Sequence, residues 1–302
     1  MGRLYDPGMR VADLPVYVVH GSRLVDRRRY LSAALEAQRI AAEWVSEPDA
    51  SDLTDDLRRR FYSKSRRAWA ERARETPKPS TPFRELTPAE IAATISHIGI
   101  LGKIVRSEPG WGLVLEDDAL IEPEFAGRFD RYFEDMPADA DVVFLGDAYG
   151  FRVRDPEPGR HFYRKDHPAS KCTDSYVIRA TAAAAILESI VPFTFPFDWE
   201  LNFHLKLHDL VVYWLHPPLV TQGSFTGVYG SSIAYARWRA TLSPLLKARL
   251  AVGRVIRALP GGSAALRFRR KALERLSGPS DSVRRAIRVA SRGRPRTRRA
   301  AP

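Results

Sequence analysis

The feature that most constrains this chain is the stretch "GWGLVLEDDALIEP", residues 110–123, in which an apolar run leads directly into Glu116, Asp117 and Asp118. A short, continuous apolar run predicts a buried strand. Adjacent carboxylates at the end of a buried strand repel one another, which costs free energy unless a cation lies nearby. Because side chains alternate along an extended backbone, Glu116 and Asp118 are expected to face one way and Asp117 the other.

The segments around this stretch predict alternating strands and helices. Residues 14–22 are expected to form the first strand, followed by a helix over 26–45 with Asp26 as its N-cap. Residues 87–105 have apolar positions at helical spacing, and Thr87, Pro88 and Glu90 form a helix-start signature. This pattern predicts an α/β fold.

Loops and later elements complete the predicted layout. Residues 49–85 and 150–170 are polar or rich in Pro and Gly and are expected to be loops. Three buried strands are predicted: one that ends at Asp147, one at 175–178 and one at 210–215. An Ala-rich helix is expected directly after the strand at 175–178. A short helix is expected after Asp198, and the Gly/Ser-rich residues beyond Pro218 are expected to be loop.

The chemistry of the acidic triplet leaves two kinds of site open. Mg²⁺ and Mn²⁺ are held by one or two protein carboxylates and take further oxygens from phosphates, which indicates a metal–diphosphate site. Receiver domains of response regulators also have an apolar strand that ends in paired acids, and Asp147 would then be the phosphoacceptor. The interval from Asp118 to Asp147 is short for that family, and a hundred residues precede the motif, so the receiver alternative is disfavoured.

Several segments, taken in order, resemble glycosyltransferase family 25, which includes lipopolysaccharide and collagen galactosyltransferases. They are "VYVVHGSRLVDRRRYL", "LTPAEIAATISHIGIL", "GLVLEDDALIEPEF", "KCTDSYVIRATAAAAIL" and "FPFDWELNFHLKLHDLVVYWLHPPLVTQGS". The resemblance covers residues 15–233. The family's glycine before Glu90 is Ala89 here, its usual cysteine after that glutamate is missing, and its "GTHAY"-like stretch reads "CTDSY" at 172–176.

The resemblance implies a GT-A type nucleotide-diphospho-sugar transferase fold with a mixed central sheet. It also implies inverting transfer of a hexose, most often galactose, from a UDP-sugar to a glycan or glycolipid hydroxyl of the cell envelope. A Mn²⁺ or Mg²⁺ ion would be held by Asp118 and Glu116, with Glu116 or Asp117 also contacting the donor. Arg27, Arg28, Ser96 and His97 are further candidates for binding or bracing the donor.

An inverting transfer needs a general base that deprotonates the acceptor hydroxyl. Asp198 and Glu200, in "FPFDWEL", are the candidates, and Asp198 is preferred. Phe197 or Trp199 would provide an apolar platform for the sugar. The alternative for Asp198 is a purely structural role as the N-cap of the helix that follows.

The charge distribution predicts two parts, a catalytic domain at 1–236 and a basic tail at 237–302. The tail holds 19 Lys and Arg against two acids, whereas the rest holds 29 basic and 34 acidic residues. Residues 242–262 have the pattern of a basic amphipathic helix. Residues 241–302 are therefore predicted to associate with an anionic membrane surface, with disorder beyond about Ser277. Specific nucleic-acid binding is not expected.

The cysteine content and the N-terminal residues predict the cellular compartment. The single cysteine, Cys172, suits a reducing compartment, and the N-terminal residues lack the apolar stretch of a signal peptide. A cytoplasmic protein, peripheral on the inner face of the cell membrane, is therefore predicted. A non-catalytic relative that only binds nucleotide sugars is the main alternative to an active transferase.

Overall fold

A computed structural model of the chain describes residues 9–75, 83–146, 156–165, 173–226 and 228–229. The chain divides into two units, Met1–Tyr235 and Ala236–Pro302. The second unit lies outside the described residues, together with the amphipathic helix predicted for the tail. Asp147, the receiver-like phosphoacceptor candidate, and Cys172 also lie outside them.

Strands and helices alternate along much of the first unit. The strands are β1 Val16–Val19, β2 Glu43–Val45, β3 Trp111–Glu116, β4 Ala119–Ile121, β5 Val142–Phe144, β6 Phe162–Arg164, β7 Ser175–Arg179, β8 Val212–Leu215 and β9 Val220–Gln222. The helices are α1 Val25–Ala37, α2 Asp55–Phe61, α3 Arg66–Glu75, α4 Pro88–Val105, α5 Phe125–Phe133, α6 Ala180–Leu187, α7 Phe197–Leu207 and α8 Gly223–Thr226.

Seven of these strands form one mixed sheet in the order β2-β1-β3-β7-β5-β8-β6. The pairs β1–β2, β1–β3 and β5–β8 are parallel, and β3–β7, β5–β7 and β6–β8 are antiparallel. The parallel β1 and β3 therefore end at the same edge of the sheet, where a strand-to-helix turn and the acidic triplet meet. The predicted α/β class with a mixed central sheet is confirmed.

Each face of the sheet is covered by helices, and alternation along the strands divides the buried residues between two cores. In β3, Val114 packs with α4, α6 and α7, while Leu113 and Leu115 pack with α1 and α5. Full burial of a side chain of this kind contributes about 1.5–3 kcal/mol. The same alternation puts Glu116, two residues after Val114, on the α4 side of the sheet.

Helix α4 begins as predicted. Thr87 is its N-cap, with a hydroxyl that accepts from the Glu90 backbone N–H, and the Glu90 carboxylate accepts from the Thr87 N–H in return. Pro88 occupies the first helical position, where a missing N–H costs nothing. These two reciprocal hydrogen bonds fix the residue at which the helix starts, and they therefore fix which of its residues face the triplet.

Five expectations about secondary structure are wrong. The first helix ends at Ala37, and residues 43–45 form a parallel strand that pairs with β1. The apolar residues keep a helical spacing up to this segment, but pairing with the sheet outweighs that local preference. The N-cap of the first helix is Leu24, and Asp26 lies in the first turn. Residues 49–85 contain α2 and α3, and residues 150–170 contain β6. Beyond Pro218, β9 pairs with β4 in a separate two-stranded sheet.

Candidate functional site

A cavity of about 150 Å³ opens where β1 and β3 end. Its walls come from the β1–α1 turn, the segment after β2, one face of α4, the acidic triplet and the residues after β9. The lining includes His20, Arg23, Arg27, Asp49, Ala92, Ser96, His97, Glu116, Asp117, Asp118, Gln222 and Ser224. The carboxyl ends of adjacent parallel strands are where α/β proteins bind ligands, so the triplet lies at the position that its chemistry requires.

Asp117 faces the β1–α1 turn, and its carboxylate is fully occupied. Oδ2 lies 3.1 Å from His20 Nδ1 and accepts from the Gly21 backbone N–H at 3.2 Å. Oδ1 accepts from Arg27 Nη1 at 2.8 Å, and both side chains of this ion pair are buried. The guanidinium of Arg27 also lies 5.4 Å from the ring centre of Tyr229. Asp117 thus holds the turn and Arg27 in place.

Glu116 faces α4, the opposite side from Asp117, as alternation predicts. One oxygen, Oε1, accepts from the Thr173 hydroxyl at 2.6 Å and lies 3.6 Å from His97 Nε2. The other ring nitrogen of His97 lies 3.1 Å from the Tyr176 hydroxyl, and the ring stacks on Phe197 at 3.9 Å. His97 is therefore a buried brace that fixes Glu116 at the edge of the cavity.

Asp118 differs from its neighbours because one of its oxygens, Oδ1, is buried without a hydrogen-bond partner among the described residues. Its Oδ2 accepts from the Ser224 N–H at 3.2 Å, and its backbone carbonyl accepts from the Gly223 N–H at 2.7 Å. Burial first, and then the negative charge of Glu116, raise the pKa of Asp118 to about 6. A buried oxygen of this kind is a free position for a cation.

A side chain at Gly223 would disturb this contact. A Cβ there would come within 2.9 Å of the Asp118 carbonyl oxygen and 2.5 Å of the Tyr229 ring. The residue that follows β9 must therefore be a glycine if the segment is to lie against Asp118 at this distance.

Asp174 is a fourth carboxylate near the triplet that the sequence reasoning did not single out as a site residue. It is buried, its Oδ2 has no partner among the described residues, and its backbone carbonyl accepts from the Glu116 N–H at 2.9 Å. Burial, reinforced by the charges of Glu116 and Asp118, raises the pKa of Asp174 well above its usual range. The departure "CTDSY" at 172–176 was the signal in the sequence, because it puts a carboxylate where the resembled family has another residue.

The residues present fit a divalent cation held by two carboxylates. Glu116 and Asp118 supply hard oxygen ligands, and no donor in the described part of the chain competes for Asp118 Oδ1. Within the described ranges, no three His, Cys, Asp or Glu side chains are arranged to hold a metal ion by themselves. Such a site would therefore need oxygens from a ligand, as Mg²⁺ and Mn²⁺ sites commonly do.

The other donor-side candidates divide between the cavity and its surroundings. Ser96 lines the cavity, although its hydroxyl donates to the Ala92 carbonyl of its own helix at 3.1 Å. Arg28 is exposed and lies over the Trp44 ring, 5.1 Å from its centre, outside the cavity lining. Arg23, His20 and Asp49 line the cavity and were not predicted; only their positions after the first two strands could have indicated them.

Asp198 and Glu200 lie in the first turn of α7 but in unlike surroundings. Asp198 is half-buried and accepts a hydrogen bond from the Trp199 N–H at 3.0 Å. The pKa of Arg84 is raised mainly by its hydrogen bond to Glu90, and the negative charge of Asp198 contributes to this shift. The helix starts two residues earlier than expected, with Pro196 as its N-cap, so Asp198 is not the cap.

Glu200 is fully buried, and Oε1 is surrounded by donors. It accepts from the backbone N–H groups of Thr194 and Phe195, at 2.5 and 2.7 Å, and from Arg72 Nη1 at 3.0 Å. This arrangement ties the segment before α7 to the helix and to α3. Its geometry is that of a structural anchor.

The structure links the two candidate halves of the site through aromatic stacking. Phe197, next to Asp198, stacks on His97, which in turn contacts Glu116. Phe197 and Trp199 are both buried, so neither presents an open ring face to a sugar.

Comparisons with known proteins bear on the whole of this arrangement. A family model described as glycosyltransferase family 25 (LPS biosynthesis protein) matches residues 13–200, which include the triplet, α4 and both acids of α7. The human protein called inactive glycosyltransferase 25 family member 3 is 25% identical over 236 residues. That alignment covers 70% of this chain and 37% of the human protein, so the chain spans just over a third of its length.

Solved structures with related shapes are more distant. A glycosyltransferase involved in glycosylation of the major capsid of PBCV-1 has 8% identity and a TM-score of 0.36, covering 69% of this chain and 94% of that one. Residues 1–349 of S. aureus TarS have 13% identity and a TM-score of 0.35, covering 71% and 62%. Mouse xyloside xylosyltransferase 1 has 12% identity and a TM-score of 0.30, covering 67% and 74%. At these values the likenesses add nothing to the assignment.

The family match covers more than half of the chain, and it includes the strand that carries the triplet and the helix that braces it. The GT-A type α/β architecture expected from the sequence accords with the mixed seven-stranded sheet. The chain belongs to glycosyltransferase family 25.

Proposed function

We propose that this chain is an inverting glycosyltransferase that moves a hexose, galactose in the first instance, from a UDP-sugar to a hydroxyl group of a cell-envelope glycan or glycolipid. The observation that carries the proposal is Asp118, a buried carboxylate beside Glu116 at the edge of a cavity, with one oxygen that finds no hydrogen-bond partner among the described residues. Family membership supports glycosyl transfer as the reaction.

On the donor side, Asp118 and Glu116 would hold a Mn²⁺ or Mg²⁺ ion together with the donor diphosphate. When bound, the cation would neutralise the charge that develops on the UDP leaving group. Asp117 holds Arg27 and the β1–α1 turn against the cavity, which keeps a cationic group close to where a diphosphate would lie. His97 keeps Glu116 oriented, because its ring is fixed between Phe197 and the Tyr176 hydroxyl.

On the acceptor side, Asp198 is the proposed general base. Of the two acids in the first turn of α7, it is the one that is not fully buried. A base must reach the acceptor hydroxyl, and Glu200 is already bonded to two backbone N–H groups and Arg72. We therefore assign proton removal to Asp198 and an anchoring role to Glu200.

A non-catalytic protein that binds nucleotide sugars is the second candidate, and one observation favours it. The human relative bears the word "inactive" in its name. Retention of Glu116, Asp118 and Asp198 in this chain favours the active form. The two candidates differ in a single measurable respect, since both bind a UDP-sugar and only one consumes it.

The test is UDP-galactose turnover with Mn²⁺, measured as UDP release, in the wild type, Asp118→Ala and Asp26→Ala. Asp26 is the matched control, because its side chain is 90% exposed in the first turn of α1. Turnover that falls about 100-fold or more in Asp118→Ala alone, and that EDTA abolishes, supports the proposal. Full activity of that variant, or activity in EDTA, would contradict the metal assignment. Mn²⁺-dependent UDP-galactose binding without turnover would establish the second candidate.

We also propose that the protein works in the cytoplasm at the inner membrane face, held there by the basic residues 241–302. Their charge and amphipathic pattern support this location. Across the described residues, none of the helices combines the length and the apolar character that a membrane crossing requires. Co-sedimentation with anionic and neutral vesicles, for the full chain and for one ending at residue 240, tests the tether. Equal sedimentation of both chains would rule it out.

A further inference from the structure

A cluster of exposed basic side chains lies on α2, on α3 and on the residues between them. We call this surface the basic helical face; its members are Arg59, Arg60, Lys64, Arg66, Arg67 and Arg74. Residues 55–75 hold eight Lys and Arg and four Asp and Glu, whereas the whole unit outside the tail is mildly acidic. The folding of two short helices does not require such a positive surface on an acidic domain, which indicates that the surface binds an anionic partner.

Within the part of the chain that the structure describes, half of this face pairs with carboxylates and half does not. Arg59, Lys64 and Arg67 pair with Asp56, Glu85 and Glu71, respectively. Among the described residues, Arg60, Arg66 and Arg74 have no carboxylate within ion-pair distance.

Two of these three guanidinium groups rest on aromatic rings. Arg60 lies 5.4 Å from the ring centre of Phe61, and Arg66 lies 5.0 Å from that of Phe83. A guanidinium stacked on a ring keeps its edge donors free for a carboxylate or phosphate, and it loses little conformational freedom when it binds one.

The basic helical face is connected to the acceptor side of the proposed site. Phe193, in the segment before α7, exchanges backbone hydrogen bonds of 2.8 Å with Phe61 and Ser63. Trp69 of α3 contacts Phe195 at 5.7 Å between ring centres. Arg72 of α3 bonds Glu200 in the same turn that carries Asp198. The two helices therefore pack directly on the segment that positions the proposed base.

We infer that the basic helical face binds an anionic saccharide, the acceptor of the proposed transfer, through its carboxylate or phosphate groups. The identification of this saccharide as the acceptor rests on the proposed function. The inference narrows the class of acceptor to glycans that carry negative charge. Charge complementarity selects the ligand class, and the packing of α3 on the segment that carries Asp198 associates the face with the acceptor side of the proposed site. Salt should weaken this binding, since the arginines are exposed.

The probe is a hexamer of galacturonic acid, with maltohexaose as the neutral sugar of equal length, and binding is measured by calorimetry at low ionic strength. The variants are Arg60→Glu/Arg66→Glu, the milder Arg60→Gln/Arg66→Gln, and Arg131→Glu, an exposed arginine in the last turn of α5 as the matched control. The wild type is expected to bind the acidic hexamer and not maltohexaose. The double Glu variant should lose roughly tenfold or more in affinity, the Gln variant less, and the control little.

Several results would overturn the inference. They are no binding of the acidic hexamer, equal binding of maltohexaose, or an equal loss in Arg131→Glu. Loss of binding to anionic vesicles in the double Glu variant, with saccharide binding unchanged, would assign the face to a membrane instead. UDP-galactose binding by each variant is measured in parallel and should be unchanged. If the wild type binds no UDP-sugar, the proposed function fails, while the hexamer result still decides whether the face binds anionic saccharides.

Discussion

Asp118 and Glu200 are both deeply buried carboxylates, one at the end of β3 and one in the first turn of α7, yet their surroundings differ in kind. Glu200 accepts from two backbone N–H groups and an arginine through Oε1, while its Oε2, buried without a hydrogen bond among the described residues, lies 3.5 Å from His204 Nε2. Asp118 accepts from one backbone N–H, and its other oxygen has no partner among the described residues. Burial alone therefore does not distinguish a functional acid from a structural one.

What distinguishes them is whether the fold supplies the compensation for burying a charge. A buried carboxylate that the protein itself surrounds with donors stabilises the folded state by holding segments together. One that lacks donors raises the free energy of the folded state until a ligand arrives. The comparison assigns Glu200 to the framework and Asp118 to the site, although the sequence presents both as acids beside apolar residues.

Removing the structural acid should give the largest effect. Glu200→Ala removes the acceptor of two buried N–H groups and one of the acceptors of Arg72, so we expect the free energy of unfolding to fall by about 3–5 kcal/mol. Urea denaturation followed by circular dichroism measures it, and Glu200→Gln, which keeps an acceptor oxygen, should lose less. A loss below about 1 kcal/mol would reopen the question of a catalytic Glu200.

Asp198, two residues earlier on the same helix, should behave in the opposite way. Asp198→Asn is expected to lower turnover about 100-fold or more, the usual contribution of a general base, and to leave the melting temperature and UDP affinity nearly unchanged. Initial-rate kinetics and calorimetric titration with UDP separate these quantities. Loss of UDP affinity would show that Asp198 belongs to the donor side.

Asp118→Asn should raise stability at pH 7.5 by roughly 1–3 kcal/mol, because it removes a buried charge. The folded-state pKa is about 6 and the usual value is 3.8, so the folded state binds more protons between these values. The wild type should therefore lose stability relative to the variant as pH rises from about 4 to 6, with no further change above. Denaturation midpoints across that range measure it, and a constant difference would contradict the raised pKa.

Asp49, which lines the same cavity, should give the smallest change in stability, and its pKa is shifted in the direction opposite to that of Asp118. The Ser22 hydroxyl, at 2.6 Å, is the main reason that its pKa is lowered from 3.8 to about 2. Its stabilising contribution is present above pH 4 and is lost as pH falls through about 2. Ser22→Ala should cost about 0.5–1 kcal/mol at neutral pH, with the difference fading in acid. A cost that does not change with pH would mean that the hydroxyl acts in some other way.

The parts of the fold that local chemistry specifies were predictable. The capping box at Thr87 and Glu90 depends on residues three apart, and the opposite directions of Glu116 and Asp117 follow from strand alternation. Both were confirmed. The α/β class follows from the order of the apolar segments, which again needs no long-range information.

The parts that depend on distant partners were not predictable. Residues 43–45 become a strand because β1 lies beside them, and Glu200 becomes an anchor because Arg72 reaches it from α3. Asp174 is 56 residues or more from the triplet in sequence, and only the antiparallel pairing of β3 with β7 brings it near. Sequence patterns show which residues can ionise, but the sheet decides which of them meet.

The contact of Gly223 and Ser224 with Asp118 has a consequence for which substitutions this segment tolerates. Both groups that donate to Asp118 from this segment are backbone N–H groups, one reaching its carboxylate and the other its carbonyl oxygen. A main-chain donor stays the same when its side chain is exchanged, so the side chain at Ser224 is free to vary without releasing Asp118, whereas proline, which has no N–H, is not tolerated there.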